Sequence, residues 1–477
     1  MTTPPPPTPS PSQSEEGDGL RVRLQELATE GRLEDAWDLL EELEPAHVAD
    51  LLQDLHPSDV ADVVEALESD EERVALMQAL PTELASETLA EMDLGEDPGD
   101  LLAAMDPTRG AQLLQELEYD DAVDLVAELE PEEQAKILAA LPMEEAGEIR
   151  GLLQYDEESA GGIMNTSLVS VEGQLTAGEA IAEVRRKGQE VEDFYTVFVV
   201  DGARNLLGTV SLHDLILADP HNPVTDLLEP PMASVLPSED QEEVGRLMSR
   251  YNMVSIPVVD ESGILLGRIT FDDVLDVMEA EQTEDILLLA GTSDEEELGG
   301  DWHEAVRARL PWLMVNLLTA AAASSMVILF HEAVDAIWFL AFIMPMVAGL
   351  GGNSGTQALA VTVRRIALSS GPVGRRLRTL WKEALVGLVN GMAVGLLAAG
   401  AAVVAVHYLA LNPRLPLVVL LAFWWNIGLA SFNGAMIPTV LHRLGVDPAV
   451  ASSIFVTALT DMTGFFLLLW LASGLLL

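Results

Sequence analysis

Val450–Leu477, VASSIFVTALTDMTGFFLLLWLASGLLL, closes the chain, and its reading decides the fold. The run exceeds the roughly 20 apolar residues that cross a bilayer as a helix, and Asp461 is its only ionisable side chain. A carboxylate in the middle of a membrane helix costs about 2.5–3.5 kcal/mol on insertion scales, so it faces a wet interior or a cation rather than lipid. Thr460 and Thr463 flank Asp461, and Gly464 follows within a turn.

Four more spans precede this one, so that the set is Leu310–Phe330, Ala336–Val363, Ala384–Leu409, Pro416–Val440 and Val450–Leu476. Arg307 and Arg309 stand before the first. Arg364, Arg365, Arg375, Arg376, Arg378 and Lys382 separate the second from the third, and Arg443 separates the fourth from the fifth. The remaining loops hold only Arg414. Positive loops stay inside, which predicts a multi-pass protein of the cell (inner) membrane with a cytoplasmic N-terminal half and an external C-terminus.

That N-terminal half is very acidic. The chain of 477 residues carries 78 Asp and Glu against 24 Lys and Arg, a net charge of −54. Residues 1–300 hold 71 acids and 14 bases, whereas 301–477 hold 7 and 10. Such a surface excludes nucleic acid, whose phosphates require Lys and Arg, and favours cations as partners or a halophilic habit. Cysteine is absent, which excludes disulfides, thiol catalysis and cysteine-based zinc sites. Met1–Glu15 has no apolar core of a signal peptide. The eight histidines are scattered, and no nucleophile–base pair converges, so an enzyme is not expected.

The pattern divides the chain. Residues 1–19 form a Pro-rich low-complexity tail. Residues 20–160 read as short amphipathic helices whose prolines at 57, 81, 107 and 131 recur every 24 to 26 residues. Proline at a helix start with acids in the first turn marks each unit, and the period predicts paired helices stacked as a solenoid. Most of the acids read as solvated outer faces. Asp120, Asp121 and Asp124 are the exception, because they crowd one helical turn.

Residues 161–225 and 226–281 contain a repeat: VVDGARNLLGTVSLHDLI from Val199 aligns with VVDESGILLGRITFDDVL from Val258 at an offset of 59. Each unit reads as strand, turn, strand, helix. The pair resembles a tandem of CBS domains, which in that family sense ligands, dimerise and often bind adenosine nucleotides through a Ser/Thr-x-x-Asp junction. The junctions here are Ser211 to Asp214 and Thr270 to Asp273.

From Asp272 the sequence DDVLDVMEAEQTEDILLLAG crowds acids together. On a helix, Asp273, Asp276 and Glu284 share a face with Glu281 beside them. Like charges at 4 Å repel by about 4 kcal/mol at an effective dielectric near 20, and no basic residue lies between Arg268 and Arg307. Magnesium or calcium, hard cations that choose carboxylate oxygen, fit such a stripe; a solvated linker helix is the bland reading. Residues 282–305 are the expected connecting helix into a membrane domain over 306–477.

Within the spans, the second contains Pro345, Gly351, Gly352, Asn353 and Gln357 in MPMVAGLGGNSGTQ. Glycines and amides at membrane depth predict an interrupted helix that lines a cavity or packs closely on a neighbour. Glu383 opens the third span, and Asn433 with Pro438 interrupts the fourth.

With these residues in view, the chain resembles the MgtE family of magnesium channels. The match runs through Pro345, GGNSGTQ from Gly351, FNGAMIP from Phe432, GVDP from Gly445 and TDMTG from Thr460. The resemblance implies a multidomain fold: an α-helical solenoid, an α+β CBS pair, a connecting "plug" helix and an all-α membrane domain of five transmembrane helices. It implies a homodimer with the pore on the two-fold axis and Asp461 holding hydrated Mg2+. It implies that cytosolic Mg2+ closes the pore through Asp240, Glu242, Asp273, Asp276, Glu281, Glu284, Asp285 and Asp447, with Asp120 and Asp124 from the N-domain.

Two positions depart from the family pattern. Asn252 stands where members can carry an acid. His213 and Met253 stand where some members use an arginine and an aromatic for ATP, although Asp214 is kept. The expectation is Mg2+ import. Another divalent ion (Co2+, Mn2+, Ca2+), an ion-coupled exchanger, and a non-conducting membrane sensor of cations or nucleotides are the alternatives.

Overall fold

The computed structural model describes residues 20, 22–24, 27, 40, 43 and 45–477, except 68, 93–97, 189–190, 192–193, 230–232, 293–301, 368–372, 445 and 449–451. The expected tail over 1–19 and the stretch 293–301 of the expected connecting helix lie outside these residues. The chain divides into two compact units, Met1–Met278 and Glu279–Leu477.

The first unit opens with short helices: α1 (Pro45–Leu52), α2 (Pro57–Glu65), α3 (Asp70–Ala79), α4 (Thr82–Ala90), α5 (Pro98–Ala104), α6 (Pro107–Leu114), α7 (Tyr119–Ala127), α8 (Pro131–Ala140) and α9 (Glu145–Leu152). Pro57, Pro107 and Pro131 begin their helices, and Pro81 sits one residue before α4. Proline's fixed φ suits a helix start, where its missing N–H leaves nothing unpaired. Each helix packs on the next but one, α1 on α3, α2 on α4 and so on to α7 on α9. One sequence period is therefore one helix pair, and stacking of the pairs buries Leu52, Leu89, Leu102 and Leu113 in a continuous core. This is the solenoid that the proline spacing predicts.

The repeat with offset 59 folds twice in the same way. β1 (Ser170–Glu172) pairs in parallel with β2 (Thr196–Val200), which pairs antiparallel with β3 (Leu206–Ser211). In the second copy, β4 (Ser255–Val259) pairs antiparallel with β5 (Leu265–Thr270), and a parallel bridge from Val235 to Val258 replaces the first strand. The register slips between Val199 and Val200 in one copy and between Val258 and Val259 in the other, so even the bulge is duplicated. Asp201 accepts from the N–H groups of Ala203 and Asn205, and Asp260 from those of Ser262 and Ile264. The repeated aspartates thus build the turns.

α10 (Ala177–Lys187), α11 (Leu212–Leu217) and α12 (Gln241–Tyr251) complete the pair. Asn252, the departure noted above, ends α12 in the left-handed conformation at φ 51°. Asparagine tolerates that conformation better than most residues, which accounts for its presence there.

α13 (Phe271–Ala290) follows β5 without a loop and runs unbroken through 281 and 282. The connecting helix expected over 282–305 therefore starts at Phe271 and ends at Ala290, where Gly291 takes φ +83°.

The second unit holds α14 (Trp302–Leu329), the short α15 (His331–Ala336), α16 (Phe339–Ala367), α17 (Val373–Leu409), α18 (Leu415–Arg443) and α19 (Ser452–Leu476). α14, α17, α18 and α19 contain stretches long and apolar enough to cross a membrane: Ala305–Leu329, Arg378–Leu409, Leu415–Arg443 and Ser453–Leu476. α16, the second span of the sequence reading, has 29 residues; its proline, glycines and amides make its middle less apolar. α16 stays helical through Pro345 and the glycines, and α18 through Asn433 and Pro438. The interruptions expected in spans two and four are corrected: the unusual residues shape helix surfaces rather than end helices, because neighbouring helices stabilise the backbone around them.

α18 is the hub. It packs on α16, α17 and α19, and α14 packs on α19. Phe423, Ile427 and Val419 of α18 meet Leu340 and Val347 of α16 and Leu468 of α19 in one apolar core. The contact with α17 is glycine-lined. A Cβ at Gly387 would lie 2.8 Å from the Ile427 carbonyl oxygen, and one at Gly391 would lie 2.7 Å from that of Trp424. Small residues spaced by four let two membrane helices approach this closely. Trp424 Nε1 then donates to the Leu388 carbonyl oxygen at 3.0 Å across the same seam.

Candidate metal sites and ion pathway

In the first unit the acids of α7 meet the second CBS unit. Asp120 is 6% exposed, Asp121 is half-buried and Asp124 lies at the exposed edge. Asp273, from the first turn of α13, repels all three. Burial, then the charges of Asp273, Asp121 and Glu118, raises Asp120 well above the usual carboxylate range. Burial, then Asp273 and Asp124, pushes Asp121 up to about 7. Desolvation, then Asp273, Glu128 and Glu157, pushes Asp124 up to about 7, although water at its outer edge screens part of the repulsion. Asp273 is also raised by burial, less so because it accepts hydrogen bonds from the Thr270 N–H and hydroxyl. Burial and like charge together make each of these carboxylates harder to ionise beside the others.

The remaining sensor candidates are spread out. Asp240 is the exposed N-cap of α12, accepting from the Glu242 N–H at 2.9 Å, and Glu242 is exposed in the first turn. Asp276, Glu281 and Glu284 follow Asp273 along α13, with Asp276 exposed and the other two half-buried. Among the described residues, no three His, Asp or Glu side chains close into a ligand cage. The two CBS junctions pair Ser211 with Asp214 and Thr270 with Asp273 at the starts of their helices. Ser211 accepts from the Asp214 N–H at 3.0 Å and donates to the Asp214 carboxylate at 2.5 Å. His213 lies 3.3 Å from Asp214, and Met253 packs against the core of the first unit.

In the second unit the far end of α13 enters the helix bundle. Leu288 is buried with Leu359 and Val363 of α16 and Val456 of α19. Asp285, one turn earlier, is raised by desolvation and then by the charge of Asp447 in the loop before α19. Along α13, Asp273 thus meets the α7 carboxylates and Asp285 meets Asp447.

Asp461 is half-buried in α19 and, among the described residues, makes no hydrogen bond or ion pair. The preceding residue, Thr460, is buried against Gly355 of α16, where a Cβ would lie 3.3 Å from its methyl. The turn of α19 that carries Asp461 therefore packs on the glycine motif of α16. On that motif Gly351 faces inward, Gly352 is half-buried, and Pro345, Asn353 and Gln357 are exposed among the described residues. Asn433 is buried in α18, and Glu383 is buried in α17 with Lys382 Nζ at 3.2 Å.

Sequence reasoning missed three residues. Asn426 is fully buried where α16, α18 and α19 meet. Its Nδ2 donates to the Val347 carbonyl oxygen at 2.8 Å, its Oδ1 has no partner among the described residues, and Gly351 and Gly464 leave it room. An amide in the aromatic run FWWN was a visible signal. Arg268 and Asn165 are the other two; they are buried beside the acids of α7. Arg268, the last base before the acidic run, was visible too, whereas nothing local to Asn165 marks it.

Comparison with known proteins matches the same divisions of the chain. Residues 344–471 match the family described as divalent cation transporter (MgtE), residues 55–158 match the MgtE intracellular N domain, and 160–221 and 224–280 match CBS domains. The magnesium transporter MgtE of Thermus thermophilus is 39% identical over 328 residues, 68% of this chain and 72% of that protein. That of Enterococcus faecalis is 35% identical over 322 residues, 68% and 70% of the two chains. That of Bacillus subtilis is 31% identical over 323 residues, 68% and 71%. On the motifs of its membrane helices and the order of its domains, this chain belongs to the MgtE family.

Proposed function

We propose that the protein is a magnesium-selective channel that imports Mg2+ into the cytoplasm and is shut by Mg2+ bound among its acidic cytosolic elements. The observation that carries this is Asp461, a half-buried membrane carboxylate without a partner among the described residues of its own chain, on a helix packed against the Gly351–Gln357 motif. Relatives at 31–39% identity bear the name magnesium transporter, which supports the choice of ion.

The chemistry suits Mg2+. This ion prefers six oxygens at about 2.0–2.1 Å and gives up water reluctantly. One carboxylate from each of two copies, with amides and carbonyls, holds it through its water shell without stripping it. A membrane potential draws it inward by about 2.3 kcal/mol per charge per 100 mV. In a homodimer with the pore on its axis, the exposed face of α16 with Asn353 and Gln357 lines the path. The basic loops support a cytoplasmic position for the acidic half, with Asp285 and Asp447 at the inner mouth. Bound Mg2+ there, and among Asp120, Asp124 and Asp273, replaces repulsion with bridging and keeps α13 seated.

The test is Mg2+ uptake into liposomes by the wild-type protein and by Asp461→Ala, with Co2+, Mn2+ and Ca2+ as substitutes. Loss of uptake in the variant is expected. Full uptake by Asp461→Ala overturns the pore assignment, and equal flux of all four ions overturns the selectivity. Absence of any flux from the wild type favours a non-conducting sensor.

A further inference from the structure

The acids of α7 are crossed by a buried base. Arg268, on β5, is 3% exposed, and its Nη2 reaches Glu118 Oε1 at 3.2 Å and Oε2 at 3.4 Å. Glu118 is the N-cap residue of α7, two positions before Asp120. The two partners are 150 residues apart in sequence, so the pair ties the helical solenoid to the CBS pair.

Asn165 extends the pair to the acids. It is fully buried, and its main chain bonds that of Arg268 in both directions at 2.8 Å. Its Oδ1 accepts from the Ser167 N–H at 2.7 Å, which turns the amide nitrogen toward α7. That nitrogen donates to Asp120 Oδ1 at 3.0 Å and to the Glu118 carboxylate. A guanidinium stays charged at any physiological pH. A buried one is tolerated when paired, and breaking the pair leaves an uncompensated charge.

We infer that Arg268, relayed by Asn165, is a built-in cation that holds the N-terminal solenoid on the CBS pair and so sets how much divalent cation the acidic seam needs to close. It is a positioning residue: it acts on Asp120 through Asn165 and Glu118 and touches no transported ion. The seam is short of positive charge by composition, with 14 bases to 71 acids in residues 1–300. The fixed charge lowers the repulsion that Mg2+ must overcome, and Arg268 already draws Asp273 downward against the effect of burial. The inference rests on the reading that Mg2+ binds this seam.

The experiment is limited proteolysis of the full-length protein in detergent, titrated with MgCl2 from a chelated start, on the wild type, Arg268→Met, Arg268→Lys and Glu118→Gln. Arg268→Met is expected to raise the Mg2+ concentration for half-protection by about tenfold, since a broken buried pair penalises the docked state. Arg268→Lys keeps the charge and is expected to fall between, a rescue that a packing role alone does not produce. A midpoint for Arg268→Met within twofold of wild type overturns the inference. If Arg268→Met does not fold by circular dichroism, Glu118→Gln, altered on the partly exposed partner, decides in its place: a raised midpoint supports the inference and an unchanged one overturns it. A wild type whose protection ignores Mg2+ removes the seam reading itself, and this inference with it; a Mg2+-responsive wild type whose variants share its midpoint removes the inference alone.

Discussion

Asn426 donates from Nδ2 to the Val347 carbonyl oxygen at 2.8 Å, joining α18 to α16 in the apolar centre of the membrane unit. The same side chain fills the space left by Gly464 on α19, where a Cβ would lie 2.9 Å from that nitrogen. One amide therefore sets the spacing between the helix that carries Asn353 and the helix that carries Asp461. Asn426→Leu removes an orphan buried acceptor together with a hydrogen bond of about 1 kcal/mol, so stability is expected to change by no more than about 1 kcal/mol. Mg2+ flux is expected to fall several-fold, because the register of α16 and α19 is no longer fixed. Thermal melting in detergent and liposome flux, read side by side, check the split; equal flux counts against it.

Gly434 of α18 faces Gly355 of α16 so closely that a Cβ would overlap the Gly355 carbonyl oxygen. A backbone atom cannot turn away as a side chain can. Gly434→Ala must separate the helices, at a cost of about 1–3 kcal/mol for overpacking, and most Mg2+ flux is expected to go with it. Gly400→Ala, where nothing lies within 4 Å of the added carbon, is the control. It is expected to leave flux intact and to gain up to about 1 kcal/mol of helix propensity. Melting temperatures of the two variants rank them.

The seam acids predict a pH response in chelated protein. Asp121 and Asp124 are pushed up to about 7 from the usual carboxylate value of 3.8. Between those values the docked form holds protons that the undocked form has lost, so docking strengthens as pH falls through 7 toward 4 and weakens as pH rises through 7. The upper limit is about 1.4 kcal/mol per group per pH unit, reduced by water at the edge of Asp124. Protease protection without metal is expected to be greater at pH 6 than at pH 8. Saturating Mg2+, which replaces the protons, is expected to flatten the dependence; stronger protection at pH 8 in chelator contradicts the assignment.

Much of the architecture was legible because it follows from period and composition. Prolines at 57, 107 and 131 mark helix starts by their own backbone geometry. The offset of 59 fixes two copies of one hairpin, since the same residues make the same turn at Asp201 and Asp260. Apolar length marks most of the membrane spans. The glycines of span two were legible as unusual but not in their role: whether Gly355 interrupts a helix or seats one depends on what stands opposite, here Val456, Thr460 and Gly434. The acids of α13 read as a single stripe because a helix wheel contains no partners. Only packing sets Asp273 against the carboxylates of α7 and Asp285 against Asp447.

The sequence by itself determined the order of the parts, the membrane crossing with one costly aspartate at 461, and the contrast between an acidic half and a basic-looped half. These are properties of neighbours along the chain, and local energetics suffices for them. Tertiary structure alone decided that Asn165 and Arg268 meet Glu118 and Asp120, that Asn426 sits among three helices, and that Thr460 packs beside the α16 glycines. Those contacts join residues tens to 150 positions apart, and burial gives them their effect: a charge or amide that water would have satisfied must there be met by another part of the chain.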